Sequence, residues 1–134
     1  MLLKIHTGRV ENINFKQRDI IYIVTSVEMI SSSDCKFVFT DRHAYQSYAG
    51  FYNKTEDLVN LDWNTIKSKN WANSEYDNDK MSRKQAEFLV YKFLPTKCII
   101  GIGVYNDFTF DKVESILKNN NSNIKVIIKK DWYY

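Results

Sequence analysis

Lys80-Met81-Ser82-Arg83-Lys84-Gln85-Ala86-Glu87-Phe88-Leu89-Val90-Tyr91-Lys92-Phe93-Leu94-Pro95 is the stretch on which the fold turns. It opens basic, places one carboxylate at Glu87, then runs almost continuously apolar to the only proline in the chain. Residues 80–86 favour helix by intrinsic propensity. Residues 88–93, aromatic and β-branched, favour a buried strand. Glu87 stands where burial begins, with Lys80, Arg83 and Lys84 close by in sequence. Burial works against its charge and the cations work for it; a carboxylate under opposed influences at the mouth of a core is a candidate for chemistry. The same residues also allow a solvated glutamate in a structural ion pair.

On the N-terminal side, residues 53–79 are polar and carry Trp63, Trp71 and Tyr76 among Lys54, Lys67 and Lys69. Aromatics beside cations can stack on nucleobases while the lysines meet phosphates; equally, the tryptophans can anchor a long loop to the core. Residues 61–66 read as a short helix and residues 68–79 as loop. Farther back, Asp19-Ile20-Ile21-Tyr22-Ile23-Val24-Thr25 reads as a strand buried on both faces. A helical turn follows at residues 27–30, and Lys36-Phe37-Val38-Phe39-Thr40 alternates like a half-buried strand. Asp41 offers an N-cap for a helix over residues 44–52, with Tyr45, Tyr48, Ala49 and Tyr52 on one face. Asp41-Arg42-His43 can also be read as an acid–base group. Residues 1–6 look like the last turns of a helix stopped at Gly8. On the C-terminal side, residues 98–105 form a second central strand. A helix begins near Asp107 or Thr109 with Phe110, Val113, Ile116 and Leu117 inward, and residues 124–128 form a last strand. Helices and strands do not alternate regularly, so the class is α+β, in one domain over residues 1–134.

Composition removes several function classes. The 134 residues are 44% hydrophobic and 15% aromatic, which excludes a disordered chain. A net charge of +3 has the sign for an anionic partner without demanding one. Cys35 and Cys98 form no CxxC pair and read as reduced thiols. No apolar run reaches the ~20 residues a membrane span needs, so no membrane association is expected and the location is expected to be cytoplasmic. There is no Walker-type GxxxxGK[ST], and Gly101-Ile102-Gly103 lacks the third glycine of a dinucleotide fingerprint. His6 and His43 are isolated, so no metal is expected.

Several blocks together resemble one family. Asp19-Ile20-Ile21-Tyr22-Ile23-Val24-Thr25-Ser26, Phe37-Val38-Phe39-Thr40-Asp41-Arg42-His43-Ala44, Asn60-Leu61-Asp62-Trp63, Arg83-Lys84-Gln85-Ala86-Glu87-Phe88-Leu89-Val90 and Asp131-Trp132-Tyr133-Tyr134 are similar to DarT. DarT proteins are the toxins of DarTG toxin–antitoxin pairs and are DNA ADP-ribosyltransferases. The resemblance implies an ADP-ribosyltransferase fold of antiparallel sheets with a cleft for NAD, which is a substrate. It matches Glu87 to the catalytic glutamate, at the entrance to a strand from about Ala86. The polar loop before it would face single-stranded DNA, with Trp71, Tyr76, Lys80 and Arg83 as candidate contacts. The acceptor would be a nucleobase, thymine ahead of guanine, and a DarG-type antitoxin a possible partner. The family's essential arginine and an NAD-contacting histidine lie in a preceding segment, and Met1-Leu2-Leu3 corresponds to residues just after that arginine. By this resemblance the chain is expected to be the C-terminal portion of such a domain, with little or no transferase activity by itself, or else a non-catalytic DNA- or antitoxin-binding remnant.

Overall fold

A computed structural model describes residues 15–133. The expected helix end at residues 1–6 lies outside them. Two compact units divide the chain: Val27–Leu94 forms one, and the segments on either side of it form the other. No described helix is long and apolar enough to cross a membrane.

The Val27–Leu94 unit is built on a three-stranded antiparallel sheet of β2 (Phe37–Thr40), β3 (Phe51–Tyr52) and β4 (Phe88–Val90). Its order is β3-β2-β4, with Phe39 opposite both Tyr52 and Phe88, and Phe37 opposite Val90. Aromatic residues at these positions make a file of stacked rings: Tyr52 lies 5.4 Å from Phe39, Phe39 6.0 Å from Phe88, and Phe88 5.0 Å from Phe37. Such cross-strand ring pairs each contribute about 0.2–1 kcal/mol beyond an alanine pair. Phe39 is buried at their centre, and Ile30 of the short helix α1 (Val27–Ser31) is buried as well. Helix α2 (Trp63–Lys67) begins at Asp62, whose carboxylate accepts the Thr65 N–H at 3.0 Å. Helix α3 (Lys80–Arg83) leads into β4, so the helix-to-strand change expected in this stretch occurs just before Phe88. Lys92, at φ 65°, follows the strand in the left-handed region.

The predicted helix over residues 44–52 does not form. The Ala44 N–H is taken by Glu87, the Tyr45 N–H by the His43 ring and the Gly50 N–H by Asp41. With those donors diverted to side chains, the backbone makes tight turns, Gln46 N–H to His43 C=O and Ala49 N–H to Gln46 C=O, in place of a helical ladder. Asp41 is thus a loop clasp and not a helix cap.

In the other unit, β5 (Gly101–Val104) is central between β1 (Tyr22–Val24), which it pairs antiparallel, and β6 (Val126–Ile128), which it pairs parallel. A parallel pair needs a crossover, and α4 (Asp107–Asn119) supplies it, capped by Asn106 Oδ1 on the Thr109 N–H. Ile102, Val104, Val113 and Val126 form the core, with Phe110, Leu117 and Ile124 against it. Two expectations are corrected here. Ile116 is 53% exposed, off the inner face, and Ile23 is 57% exposed, so β1, an outer strand among the described residues, is open on one face and not buried on both. Gly103 has a packing reason to be glycine: a Cβ there would stand 2.6 Å from the Trp132 ring. Tyr133 donates its hydroxyl to Ile20 C=O at 2.8 Å and packs edge-on against Tyr22 and Tyr105. Burial, with Tyr22 nearby, pushes its phenol up to about 12.

Candidate active site

Glu87 enters β4 through backbone exchange with the end of β2: Thr40 N–H donates to Glu87 C=O at 2.9 Å, and Glu87 N–H donates to Thr40 Oγ1 at 3.2 Å. These bonds fix where the side chain leaves the sheet. Its Oε2 accepts the Ala44 N–H at 2.9 Å. The carboxylate is 36% exposed, neither sealed in the core nor loose in solvent, and Oε1 has no hydrogen-bond partner among the described residues. His43 Nδ1 lies 4.0 Å from Oε2, beyond hydrogen-bond range. That nitrogen accepts the Tyr45 N–H at 3.2 Å. One carboxylate oxygen is therefore held by the backbone and the other has no partner among the described residues, with an imidazole alongside. A carboxylate so placed can accept a hydroxyl hydrogen bond, face developing positive charge or take up a proton.

Around it, two arginines are locked among four aspartates. Arg42 bonds Asp41 and reaches Asp79 at 3.0 Å; Arg83 reaches Asp62 at 3.0 Å, Asp77 at 2.7 Å and Asp79 at 3.4 Å. Burial pushes the Asp41 carboxyl up, but hydrogen bonds from Arg42 and the Gly50 N–H outweigh it and hold the group below its ordinary value. Asp62 is also lowered, first by the Thr65 hydrogen bonds and then by Arg83. Arg42 is pinned besides over the Tyr48 ring, 4.9 Å from its centre.

This network closes the base of the 68–79 loop. Within the loop, Asn73 donates to Asn78 C=O and accepts the Met81 N–H at 2.8 Å, and Ser74 pairs with Asp77 across a turn that carries Tyr76 at its tip, 98% exposed. Trp71 is 40% exposed, with the Lys84 ammonium 4.7 Å from its ring centre. Lys80 is half-buried and has no carboxylate within ion-pair distance among the described residues. A polar groove of about 430 Å³ runs along the loop, lined by Asn64, Ser68, Asn70, Asn73, Asp77 and Lys80. Of the residues singled out in the sequence, Trp71 and Tyr76 thus sit on the loop, Lys80 and Arg83 on α3 at its base, and Glu87 at the strand that follows. Trp63 is half-anchored: its indole N–H donates to Leu58 C=O at 2.9 Å, with the ring 42% exposed.

Sequence reasoning did not single out the aspartate lattice or the buried Lys84. One signal was available for the former: Asp79 and Arg83 are spaced i, i+4 at the start of a helix. Lys84 carried none, because its partners are backbone carbonyls from residues 65–68.

The mixture of helices and two small sheets is an ADP-ribosyltransferase fold of the DarT kind, as superposition on a solved relative shows. The chain superposes on Thermus sp. 2.9 DarT in complex with ADP-ribosylated ssDNA with a TM-score of 0.91 at 37% identity, covering 99% of this chain and 63% of that one. The same protein in complex with NAD+ gives 0.91 over 99% of this chain and 66% of that one. The chain belongs to the DarT family, matching over residues 1–134 the family described as "ssDNA thymidine ADP-ribosyltransferase, DarT". It is 39% identical to a DNA ADP-ribosyl transferase of Thermus sp. (strain 2.9), covering 100% of this chain and 63% of the relative. It is 28% identical to one of Escherichia coli O127:H6, covering 100% of this chain and 62% of the relative. The chain therefore spans somewhat less than two thirds of the length of these relatives.

Proposed function

We propose that the protein carrying this chain transfers ADP-ribose from NAD to a nucleobase of single-stranded DNA, thymine ahead of guanine, with Glu87 as the catalytic carboxylate. The observation that carries this reading is the state of Glu87. One oxygen is fixed by a backbone N–H and the other has no hydrogen-bond partner among the described residues, at the lip of a sheet in a chain of the DarT family. The Thermus relative solved with NAD+ and with ADP-ribosylated ssDNA supports the choice of both substrates.

In this reading, cleavage of the nicotinamide–ribose bond builds oxocarbenium character at the ribose, as glycoside cleavage does. Glu87 stabilises that charge, holds a ribose hydroxyl and accepts the proton the acceptor base gives up as its bond to the ribose forms. The acceptor must leave its stack, which costs least in a single strand. Trp71 and Tyr76 offer faces for its neighbours and Lys80 a charge for phosphate. Arg83, committed to three aspartates, shapes the loop that meets the DNA. A toxin role restrained by a DarG-type antitoxin goes with this reading.

The test uses the protein that carries this sequence, NAD, and single-stranded oligonucleotides of matched length with and without thymine, followed by mass spectrometry. An ADP-ribose increment on the thymine-containing strand alone is the expected product. Equal modification of strands lacking thymine refutes the acceptor, and ADP-ribose found only on protein refutes DNA as substrate.

A further inference from the structure

We propose that Lys84 is a positioning residue that sets Trp71 and the start of the 68–79 loop in fixed register to Glu87, so that the loop meets single-stranded DNA already folded. This inference rests on the function proposed above. Lys84 is only 8% exposed, in the link between α3 and β4, three residues before Glu87. Its ammonium donates to Thr65 C=O at 3.1 Å, to Ile66 C=O at 3.1 Å and to Ser68 C=O. Three N–H bonds meet three acceptors, so the group is saturated. Those carbonyls belong to the last turn of α2 and the first residue of the loop, where a helix leaves oxygens without partners and presents the negative end of its dipole. The Trp71 ring completes the enclosure, 4.7 Å from Nζ to its centre.

No carboxylate lies within ion-pair distance of Lys84 among the described residues, in contrast to Arg42 and Arg83 nearby. The charge is balanced by peptide dipoles and an aromatic face alone. Burial, with Lys80 adding like-charge repulsion, lowers the ammonium's pKa, the mark of a group whose desolvation is not fully offset. A methionine would fill the same space without that cost, but it could not tie three carbonyls and a ring in one direction. The tie joins the only exposed tryptophan of the loop to the segment that carries the carboxylate. Without it, Trp71 loses one of its anchors.

The test is a double-mutant cycle read by titration of a fluorescently labelled oligothymidylate, with thermal melting of each variant alongside. Lys84→Met and Trp71→Leu should each weaken binding about tenfold, the lower part of the range for losing one base-stacking contact. The double variant should be no weaker than either single one, because both changes remove the same contact. Lys84→Arg should recover most of the affinity, and in the transfer assay Lys84→Met should raise KM for the oligonucleotide while leaving KM for NAD unchanged. Should Lys84→Met lose its cooperative melt, Lys84→Gln, which keeps an N–H donor but no charge, takes its place with the same expectation. Wild-type affinity in a folded charge-removing variant overturns the inference, as does full additivity in the double variant. Absence of oligothymidylate binding by the unaltered protein overturns the proposed function itself, and with it this inference.

Discussion

At Glu87, the division of labour between the two carboxylate oxygens makes a sharp prediction. Glu87→Gln keeps the size of the side chain and an oxygen for the Ala44 N–H, but removes the negative charge that the proposed reaction uses at the sugar. Transfer to DNA should fall by about 10²-fold or more, the scale seen when one preorganised electrostatic group is lost. Oligonucleotide affinity should stay within about twofold, since that change is under half of the 1.4 kcal/mol equivalent to a factor of ten. A variant that stops binding DNA as well would mean that Glu87 acts by holding the 43–45 turn. Tyr133 makes a separate prediction about pH. Its phenol is raised by burial, so its stabilising contribution is complete below the ordinary value of 10.0 and is lost as pH rises through about 12. Melting temperature followed across that window should fall more steeply for the wild type than for Tyr133→Phe.

Secondary-structure elements show why some of this architecture was legible and some was not. The entry into β4 was only partly legible. Residue types gave helix before Glu87 and strand after it, but the expected buried strand over residues 88–93 stops at Val90, with Leu89 40% exposed and Tyr91 and Phe93 exposed beyond it. The short helix expected over residues 61–66 forms as α2, starting two residues later because Asp62 serves as its cap. The segment 44–52 could not be read: what diverts its N–H groups from a helix includes Glu87, 43 residues away in sequence. Lys84 was hidden for the same reason, since nothing local announces that a lysine will be buried under α2. Asp62→Ala removes both the cap and one Arg83 partner. The loss of the cap should cost about 1 kcal/mol, while the half-exposed ion pair should add little. Urea titration reads the sum, and a loss near zero would mean that the cap carries no weight. The Asp62 carboxyl is lowered in the folded state, so its contribution is present above the ordinary carboxylate value and fades as pH falls through the lowered one. Within β5, Gly103→Ala should cost about 1–3 kcal/mol, the usual range for forcing a methyl into packed space. The new Cβ would be 2.6 Å from the Trp132 ring, so a shift in Trp132 fluorescence should accompany the loss.

For the whole molecule, a net charge of +3 is too small for binding driven by bulk electrostatics. Affinity for a single strand should instead depend on a few local contacts. With Lys69 and Lys80 as the phosphate contacts beside the loop, log K against log salt should fall with a slope of about −1.4, taking ~0.7 for each phosphate on a single strand. A slope several times steeper would move the binding surface elsewhere on the chain. The expectation of an α+β chain built around residues 80–95 holds at this scale, since that stretch supplies α3, Glu87 and β4 in order. The parallel β5–β6 pair was not legible, because strand direction depends on the crossover and not on the strand's own residues.

The interleaving of the two units has a consequence for biosynthesis. As the chain leaves the ribosome, Val27–Leu94 is finished before β5 has been made, so every strand of its sheet is at hand. β1 is in the opposite position: among the described residues its strand partner is Gly101–Val104, made nearly eighty residues later. During that interval Tyr22–Val24 is an open template for other nascent chains, with Ile23 exposed within it and Ile21 exposed just before it. Slow translation of residues 27–100 would lengthen its vulnerability, and a trigger-factor-like holdase would find a target there.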